Sequence, residues 1–471
     1  MFKTIEEVKN YIKDQEIEFI DFRLIDIFGG LRHLCIPACR FNEKTLTEGI
    51  GFDGSNYGYA GVENSDMVFI PDLSSAWIDP FVERKTLSMF ADVKVIGAEE
   101  NHDYDHYPRN VIKAALKSLK DNDIADEMLI APEYEFTVLD EASWDLSPQH
   151  MSYSIKSSET ASDLGNGNII AKGQGYHCSL PMDSTHDLRN DICTVMSDAG
   201  IDVKYHHHEV GESGQLEIEV ELGEAAKLAD QTILAKYIIR NTAQIHGLIA
   251  TLMPKPVYGE AGNGMHIHML LKKDGKNVFY DQKNYGKLSQ TALYFIGGIL
   301  SHVRSICAFT NPTTNSYKRL VPGFEAPVTI GYAMANRSAV VRIPAYVKST
   351  DKIRFELRNP DATCNPYFAI AAIIMAGIDG IRNRIDPSGR NWGPFDFNLF
   401  DLSKEEKKKL EHLPASLDEA LKALEDDHDY LTRDGVFPKE LIDSWIEAIS
   451  EEERLVNIMP TPAEFSRYFN R

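Results

Sequence analysis

The stretch Pro132-Glu133-Tyr134-Glu135-Phe136 alternates carboxylates with aromatic rings. Successive side chains of a β-strand point to opposite faces of its sheet, so this period of two places both carboxylates on one face and both rings on the other. The stretch therefore predicts a strand with one apolar face and one strongly ionic face.

Three further runs repeat this alternation of polar and apolar side chains. Their polar members are Glu217 and Glu219, His266 and His268, and Arg354, Glu356 and Arg358. A solvated face of an antiparallel sheet would explain any one of these strands taken alone. Taken together, however, the facing positions contain Glu, His and Arg but no Lys, and these are the residue types that bind metals and oxyanions. The four runs predict a sheet whose ionic face is a functional site.

The balance of these side chains indicates the chemistry. Carboxylates with few imidazoles suit Mg²⁺ or Mn²⁺ better than zinc, which prefers nitrogen and sulfur ligands. Arginines beside such cations would hold a polyphosphate, and this combination is typical of phosphoryl transfer. The chain has no P-loop sequence. Glu209 and Glu217, separated by turn-forming residues, are a further candidate pair of ligands on one hairpin.

The amino-acid composition excludes several classes of protein. The 471 residues are 43% hydrophobic and 25% charged, which is typical of a globular chain and excludes a disordered, collagenous or disulfide-dense one. The 71 acidic and 49 basic residues give a net charge of −22, which argues against nucleic acid and membrane surfaces as partners.

The cysteines and the apolar stretches give no sign of export or of membrane insertion. Cys35 and Cys39 have a spacing that does not fit a zinc site, and the N-terminus lacks the apolar run of a secretory signal. The most apolar stretches, 291–303 and 366–378, are shorter than the roughly 18–20 residues that cross a bilayer and predict buried core helices. We expect a cytoplasmic protein.

The chain divides into two units of unequal size. A capping-box helix, short strand-like runs and a glycine-rich loop make up residues 1–107, and Pro108 is a suitable first residue for the helix that opens residues 108–471. Alternating helices and strands in the second unit predict a mixed or α+β class. The polar segment 149–175 is expected to be a long loop or a mobile lid.

Six motifs follow one another along the chain. They are Phe52-Asp53-Gly54-Ser55; Pro132-Glu133-Tyr134-Glu135-Phe136; His207-His208-Glu209-Val210 with Gly214-Gln215-Leu216-Glu217; Gly264-Met265-His266-Ile267-His268; the run 311–323; and Asn336-Arg337-Ser338 through Arg342-Ile343-Pro344 to Arg354-Phe355-Glu356-Leu357-Arg358. In these motifs and their order the chain resembles glutamine synthetase of the class I bacterial and archaeal type. The resemblance implies an α+β fold, with a small N-terminal β-grasp-like domain (1–107) and a large catalytic domain (108–471) that has a curved antiparallel sheet flanked by helices.

The resemblance also implies roles for individual residues. Two or more Mg²⁺ or Mn²⁺ ions would be held at each site, one by Glu135, Glu209 and Glu217, and another by Glu133, His266 and Glu356. The ATP co-substrate would contact His268, Arg342 and Arg354. Glutamate would contact Gly262, Arg319 and Arg358, and the ammonium pocket would contain Asp53, Tyr176, Glu209 and Glu325. Catalysis would depend on Asp53 as base, Glu325 on a closing flap and Arg337 at the transferring phosphoryl group.

The implied activity is ATP-dependent ligation of ammonia to glutamate through a γ-glutamyl phosphate. The implied assembly is a homododecamer of two hexameric rings in which the Asp53 loop of one subunit completes its neighbour's site, with a small regulatory protein as a candidate partner. Phe400 replaces a tyrosine that is adenylylated in some members, which excludes that modification, and Gly61 replaces an arginine of glutamine-inhibited members.

Two alternatives remain open. Asn56 and Ala261 depart from the family's usual serine and asparagine near the substrates, so the chain could join glutamate to another amine, such as a polyamine or ethanolamine. Near the nucleotide, Leu270, Lys204 and Asp351 also depart from the usual residues. A catalytically silent homologue is the other alternative, but the presence of all the implied ligands and arginines argues against it.

Overall fold

The computed structural model describes residues 2–59, 61, 65–97, 100–160, 167–324, 326–397 and 402–471. Within these residues, the N-terminal part contains two helices and seven strands. They are α1 (Ile5–Asp14), β1 (Phe19–Ile25), β2 (Leu31–Pro37), α2 (Glu43–Thr47), β3 (Ile50–Asp53), β4 (Asp66–Pro71), β5 (Trp77–Ile78), β6 (Thr86–Val95) and β7 (His102–Asp103). The strands form one sheet in the order β2-β1-β6-β4-β3, and β5 and β7 also pair with β6. The β1–β6 pair is parallel, which brings two strands that are distant in sequence to the middle of the sheet.

The rest of the described chain contains eleven helices and twelve strands. They are α3 (Pro108–Asp121), β8 (Glu127–Leu139), β9 (Glu141–Ser147), β10 (His150–Lys156), α4 (His186–Asp198), β11 (Val203–His208), β12 (Gln215–Val220), β13 (Gly223–Glu224), α5 (Ala225–Ile245), β14 (Ile249–Thr251), β15 (Ile267–Lys273), β16 (Lys276–Asn277), α6 (Gln290–Thr310), α7 (Ser316–Arg319), β17 (Thr329–Met334), β18 (Ala339–Ile343), β19 (Phe355–Leu357), α8 (Pro366–Arg382), α9 (Lys404–Lys407), α10 (Leu417–Asp426), α11 (Asp429–Thr432), α12 (Lys439–Asn457) and α13 (Pro462–Tyr468). Together with the N-terminal sheet they confirm the α+β class.

A ten-stranded sheet occupies the centre of this second part. Its main path is β11-β12-β8-β15-β19-β18-β17; β13 and β14 also pair with β8, and β16 pairs with β15. The pairs are antiparallel, as expected for a curled sheet of this kind, with the exception of the parallel β17–β18 pair. Strand β8 is thirteen residues long and pairs with β12, β13, β14 and β15, so it determines where both halves of the sheet lie.

Helices α6 and α8 pack against each other in the core, as the two apolar stretches predicted. A Cβ atom on Gly298 would lie 2.0 Å from the carbonyl oxygen of Ala376, so only glycine permits this approach of the two backbones. Helix α6 is long and apolar enough to cross a membrane, but 72% of its most apolar window is buried inside the protein. It is therefore a core helix of this fold.

The expectation of a loop or lid over 149–175 is wrong for the first part of that segment. Strand β10 pairs antiparallel with β9, and Tyr153 lies opposite Trp144 across the hairpin. Met151, Tyr153 and Ile155 alternate with polar residues, and this period of two was hidden by the high content of serine. Residues 161–166 lie outside the described residues.

A buried arginine joins the two parts of the chain. Arg109, near the start of α3, bonds Asp72 (2.7 Å) and Asp92 (2.6 Å) of the N-terminal part and Asp230 (2.9 Å) on α5. The hydroxyl of Tyr367 on α8 donates to the same Asp230 at 2.6 Å. Helix α3 begins at Pro108, and the division of the chain after residue 107 stays a prediction.

Candidate active site

The ionic face predicted for β8 is present and is continued by its neighbours. In the antiparallel register, Glu135 lies opposite Glu217 and Glu133 lies opposite Glu219, all four on the β8–β12 pair. Each of these side chains belongs to a residue that is at most 7% exposed. The face is therefore buried, so it is not the solvated face of an antiparallel sheet.

One cavity of about 870 Å³ lies over this face. Twelve of the sixteen predicted site residues line it: Glu133, Glu135, Tyr176, Glu209, Glu217, Gly262, His266, Arg319, Arg337, Arg342, Glu356 and Arg358. His268 and Arg354 line an adjoining pocket of about 220 Å³, which shares Glu133 with the first. The structure thus brings together acidic, imidazole and guanidinium groups from distant parts of the sequence.

Three groups of described side chains, around the cavity and its adjoining pocket, could hold a metal ion. His207, Glu209 and Glu217 offer ligand atoms within 4.8 Å of one another, and so do Glu133, His268 and Glu356; Glu133, Glu217 and Glu219 form the third group. The first group contains two of the three ligands that the resemblance implies for one cation, and the second contains two of the three implied for the other.

The remaining two implied ligands are held by the protein itself. Glu135 accepts a hydrogen bond from the backbone of Gly264 at 2.6 Å, and His266 Nδ1 lies 2.8 Å from Glu133. Glu135 Oε1 and a Glu356 oxygen are each 3.7 Å from His266 Nδ1, so all these groups surround one space. Their assignment as ligands stays a prediction.

The carboxylates carry more negative charge than their surroundings neutralise. Burial, and then the charges of Glu133 and Glu135, raise the pKa of Glu217 well above its usual value. Burial would likewise raise the pKa of Glu356, but the Arg358 guanidinium opposes it and the pKa is lowered to about 2. Burial opposes ionisation of Glu133 as well, yet hydrogen bonds from His266 and His268 lower its pKa well below the usual value. A site rich in oxygen donors and short of positive charge fits hard divalent cations.

The arginines in the two pockets keep unused donors. Arg342 bonds Glu356 at 2.6 Å, and Arg358 bonds the other oxygen of the same carboxylate. Within the described part of the chain, the buried Nε atoms of Arg342 and Arg354 and the Nδ1 atom of His268 have no hydrogen-bond partner. A buried polar atom without a partner is costly, so these three atoms indicate a place for a polar ligand, and the two arginine N–H groups among them favour an anionic one.

A close packing of backbone and arginine shapes the wall near Gly262. A Cβ atom there would lie 2.3 Å from the carbonyl oxygen of Pro254 and 2.9 Å from Cγ of Arg319. Arg319 itself is held by the carbonyl of Asn359 at 2.8 Å and is 4% exposed. A side chain at position 262 would therefore displace Arg319 or the Pro254 backbone, and Gly262 itself lines the cavity.

Asp53 is the predicted residue that the fold does not bring to the cavity. It is the last residue of β3 in the N-terminal part, where its carboxylate accepts from the backbone and hydroxyl of Ser55 at 2.9 and 2.7 Å and from Asn56 at 2.9 Å. These hydrogen bonds, first that of the Ser55 hydroxyl, lower the pKa of Asp53. Glu325 and Phe400 lie outside the described residues.

Sequence reasoning gave too little weight to His207. The sequence prediction did not include it among the metal ligands, yet it lies opposite Glu217 in the β11–β12 register, with Nε2 3.6 Å from that carboxylate. The spacing of two between His207 and Glu209 was the available signal. Tyr205 and Tyr346 also line the cavity and were not predicted.

Comparison with known proteins agrees with this geometry. The family model "Glutamine synthetase, beta-Grasp domain" matches residues 16–95, and "Glutamine synthetase, catalytic domain" matches residues 105–468. A glutamine synthetase of Frankia alni is 42% identical over the whole of both chains, and a 3-hydroxylaminophenol mutase of Cupriavidus pinatubonensis is 40% identical, also over the whole of both. The solved structure of Plasmodium falciparum glutamine synthetase superposes with a TM-score of 0.89 at 28% identity, covering 99% of each chain. The chain therefore belongs to the glutamine synthetase family of ligases.

Proposed function

We propose that this chain joins ammonia to L-glutamate at the expense of ATP, through a γ-glutamyl phosphate, and releases glutamine, ADP and phosphate. The observation that carries this proposal is the convergence of buried carboxylates, imidazoles and arginines on one cavity. The family supports the same chemistry, since its curated members include a glutamine synthetase 42% identical over the whole chain.

Divalent cations, Mg²⁺ or Mn²⁺, would be held by Glu135, Glu209 and Glu217 and by Glu133, His266 and Glu356. Once bound, they neutralise the repulsion between the substrate carboxylate and the polyphosphate. His207 and His268 are additional donors at these two places, as their distances to the carboxylates indicate.

The arginines bind and orient the substrates. Arg342 and Arg354, with His268, contact the ATP phosphates through the donors that the protein leaves unused. Arg319 and Arg358 hold the carboxylates of glutamate, and the Gly262 backbone binds its amino group. An oxygen of the glutamate γ-carboxylate then attacks the γ-phosphorus of ATP, and ADP leaves. Arg337 neutralises the charge that develops on the transferring phosphoryl group.

The second step is the attack of ammonia on the acyl phosphate. Tyr176 and Glu209 bind the ammonium ion inside the cavity, and Asp53 accepts its proton so that the nitrogen has a free electron pair. Ammonia attacks the carbonyl carbon, phosphate leaves, and the nitrogen releases one further proton to the departing phosphate, which gives the neutral amide. Glu325 covers the site, which keeps water from hydrolysing the acyl phosphate.

This role of Asp53 requires a second subunit, because Asp53 does not reach the cavity of its own chain. We propose a homododecamer of two hexameric rings, in which a catalytic domain (108–471) receives the Asp53 loop from the N-terminal domain (1–107) of its neighbour. A cytoplasmic location and a small regulatory protein as partner belong to the same proposal.

A second candidate function differs only in the amine. Asn56 donates a hydrogen bond to Asp53, the proposed base, and the small side chain of Ala261 lines the cavity beside Gly262. Both positions could accommodate an amine larger than ammonia, such as a polyamine or ethanolamine.

One assay tests both candidates. ADP release by the purified protein is measured with glutamate and Mg²⁺, and with ammonium, ethanolamine or a polyamine as the nucleophile. The proposal expects the highest kcat/KM with ammonium. A higher value with a larger amine selects the second candidate, and no ADP release with any amine contradicts both.

A further inference from the structure

A buried ion pair joins Glu159 to His208, a residue that lines the cavity. Glu159 Oε2 is 2.9 Å from His208 Nε2, and the two residues are 2% and 1% exposed. The other oxygen of Glu159 accepts from the backbone and the hydroxyl of Ser184, at 3.1 and 2.8 Å. Both oxygens of this carboxylate are therefore engaged, and Glu159 is not among the residues that line the cavity.

The second nitrogen of the His208 ring is fixed as well. His208 Nδ1 lies 2.7 Å from the backbone carbonyl oxygen of Glu209. A carboxylate and a carbonyl are both acceptors, so both ring nitrogens must donate. The ring thus connects Glu159 rigidly to the backbone of Glu209, whose side chain belongs to one of the candidate cation groups.

The same contacts hold the segment that carries Tyr176. The backbone of His177 donates to the carbonyl of His208 at 3.0 Å, and that of Gly175 donates to Val210 at 3.3 Å. A Cβ atom on Gly175 would lie 2.4 Å from the carbonyl oxygen of Glu209, so this segment packs directly on the Glu209 backbone.

We propose that Glu159 and His208 are positioning residues, which hold the Glu209 carboxylate and Tyr176 in the geometry that binds the cation and the ammonium ion. The identity of these two ligands rests on the proposed function, whereas the positioning does not. Groups that orient a metal ligand typically change metal affinity by about 10–100-fold when they are replaced.

The test is a Mn²⁺ titration by calorimetry on the full-length protein without glutamate, ammonium or ATP. Glu159→Gln keeps the size of the side chain and removes the charge that holds His208. The matched control is Asp379→Asn, because Asp379 also pairs with a partly buried histidine (His302, 3.1 Å) but lies outside the cavity lining.

We expect Glu159→Gln to weaken the tightest Mn²⁺ binding about tenfold or more, and Asp379→Asn to leave it unchanged. Wild-type affinity in folded Glu159→Gln overturns the inference, as does an equal loss in both variants. Because no substrate is present, these outcomes are independent of whether the wild-type protein ligates ammonia.

Ser184→Ala covers the case in which Glu159→Gln does not fold. This variant removes only the hydroxyl that contacts Glu159 Oε1, and it leaves the ion pair in place. We expect a Mn²⁺ affinity about threefold lower, in proportion to one lost hydrogen bond of modest strength. Unchanged affinity in that variant overturns the inference.

Discussion

Glu217 lies directly opposite Glu135 across the antiparallel β8–β12 pair, and both carboxylates are buried. Like charges in facing positions of a sheet destabilise it. The folded protein therefore contains a repulsion that a divalent cation would relieve.

Replacing Glu217 by glutamine should have opposite effects on two quantities: it should stabilise the cation-free protein and weaken cation binding. Without cations, Glu217→Gln should raise the melting temperature, because it removes a carboxyl group whose ionised form is disfavoured. Burial and the neighbouring carboxylates raise the pKa of Glu217, which shows this cost. The further rise on adding Mn²⁺ should be smaller than in the wild type, because one ligand is weakened. Thermal melts with EDTA and with Mn²⁺ measure both effects. A variant that is less stable in EDTA and gains as much from Mn²⁺ as the wild type would contradict this account.

Arg337→Ala should abolish turnover without loss of cation binding. An arginine that stabilises a transferring phosphoryl group contributes on the order of 10³-fold or more to the rate. ADP release measures turnover, and calorimetry with Mn²⁺ measures binding. Arg304→Ala is the control, because Arg304 on α6 pairs with Glu419 at 3.5 Å outside the cavity lining. Near-normal ADP release by Arg337→Ala would remove this residue from the proposed mechanism.

Arg109→Met should destabilise the protein strongly. It leaves Asp72, Asp92 and Asp230 without their buried cation, and breaking a buried pair in this way costs about 3–5 kcal/mol. Lys113→Met on the same helix is the matched control. Lys113 bonds Asp92 at 2.6 Å but is 47% exposed, so its loss should cost about 1 kcal/mol or less. Urea titrations compare the two, and similar losses would show that burial does not decide the effect.

The pH dependence of the free energy of unfolding should depend on the ionisation of His302. Burial would lower the pKa of His302, but the carboxylates of Asp379 and Asp427 raise it above its usual value. A raised folded-state pKa gives stability that is complete below about pH 6.5 and is lost as the pH rises through the folded pKa. His302→Gln should therefore lose less stability between about pH 6 and pH 9 than the wild type, by on the order of 1 kcal/mol. Parallel pH curves for the two proteins would contradict the assignment.

Mixing two inactive variants should restore activity if the site is shared between subunits. Asp53→Asn lacks the proposed base, and Arg337→Ala lacks the phosphoryl contact. In randomly mixed rings, about a quarter of the sites combine an intact Asp53 from one subunit with an intact Arg337 from the next. ADP release should recover to roughly that fraction after the two are dissociated and reassembled together. No recovery in mixed rings would place both residues on one chain.

The sequence predicted the ionic face of the sheet because strand geometry converts a period of two into two faces. Glu133 and Glu135 could be placed on one side of β8 from the local sequence alone. The register that brings Glu217 opposite Glu135 depends on contacts between distant strands, and only the family resemblance linked them beforehand. For the same reason the parallel β17–β18 pair could not be anticipated.

The parts that were missed have separate physical causes. The β9–β10 hairpin was not predicted, because serine and exposed aromatic rings weaken the contrast between a polar and an apolar face. His207 was overlooked because adjacent residues on a strand point to opposite sides, and only the register decides which of three histidines faces the carboxylates.

Glu133 and Glu135 are two residues apart on one strand, so their Cα atoms are separated by roughly 6.6 Å wherever the backbone is extended. This spacing belongs to the peptide unit, and exchanging side chains cannot alter it. The spacing of the two carboxylate-bearing residues on this strand is thus fixed, whereas the loops that also line the cavity can be lengthened or replaced. Variation in the molecules that this scaffold accepts should accordingly arise in these loops, around residues 167–184 and 254–262.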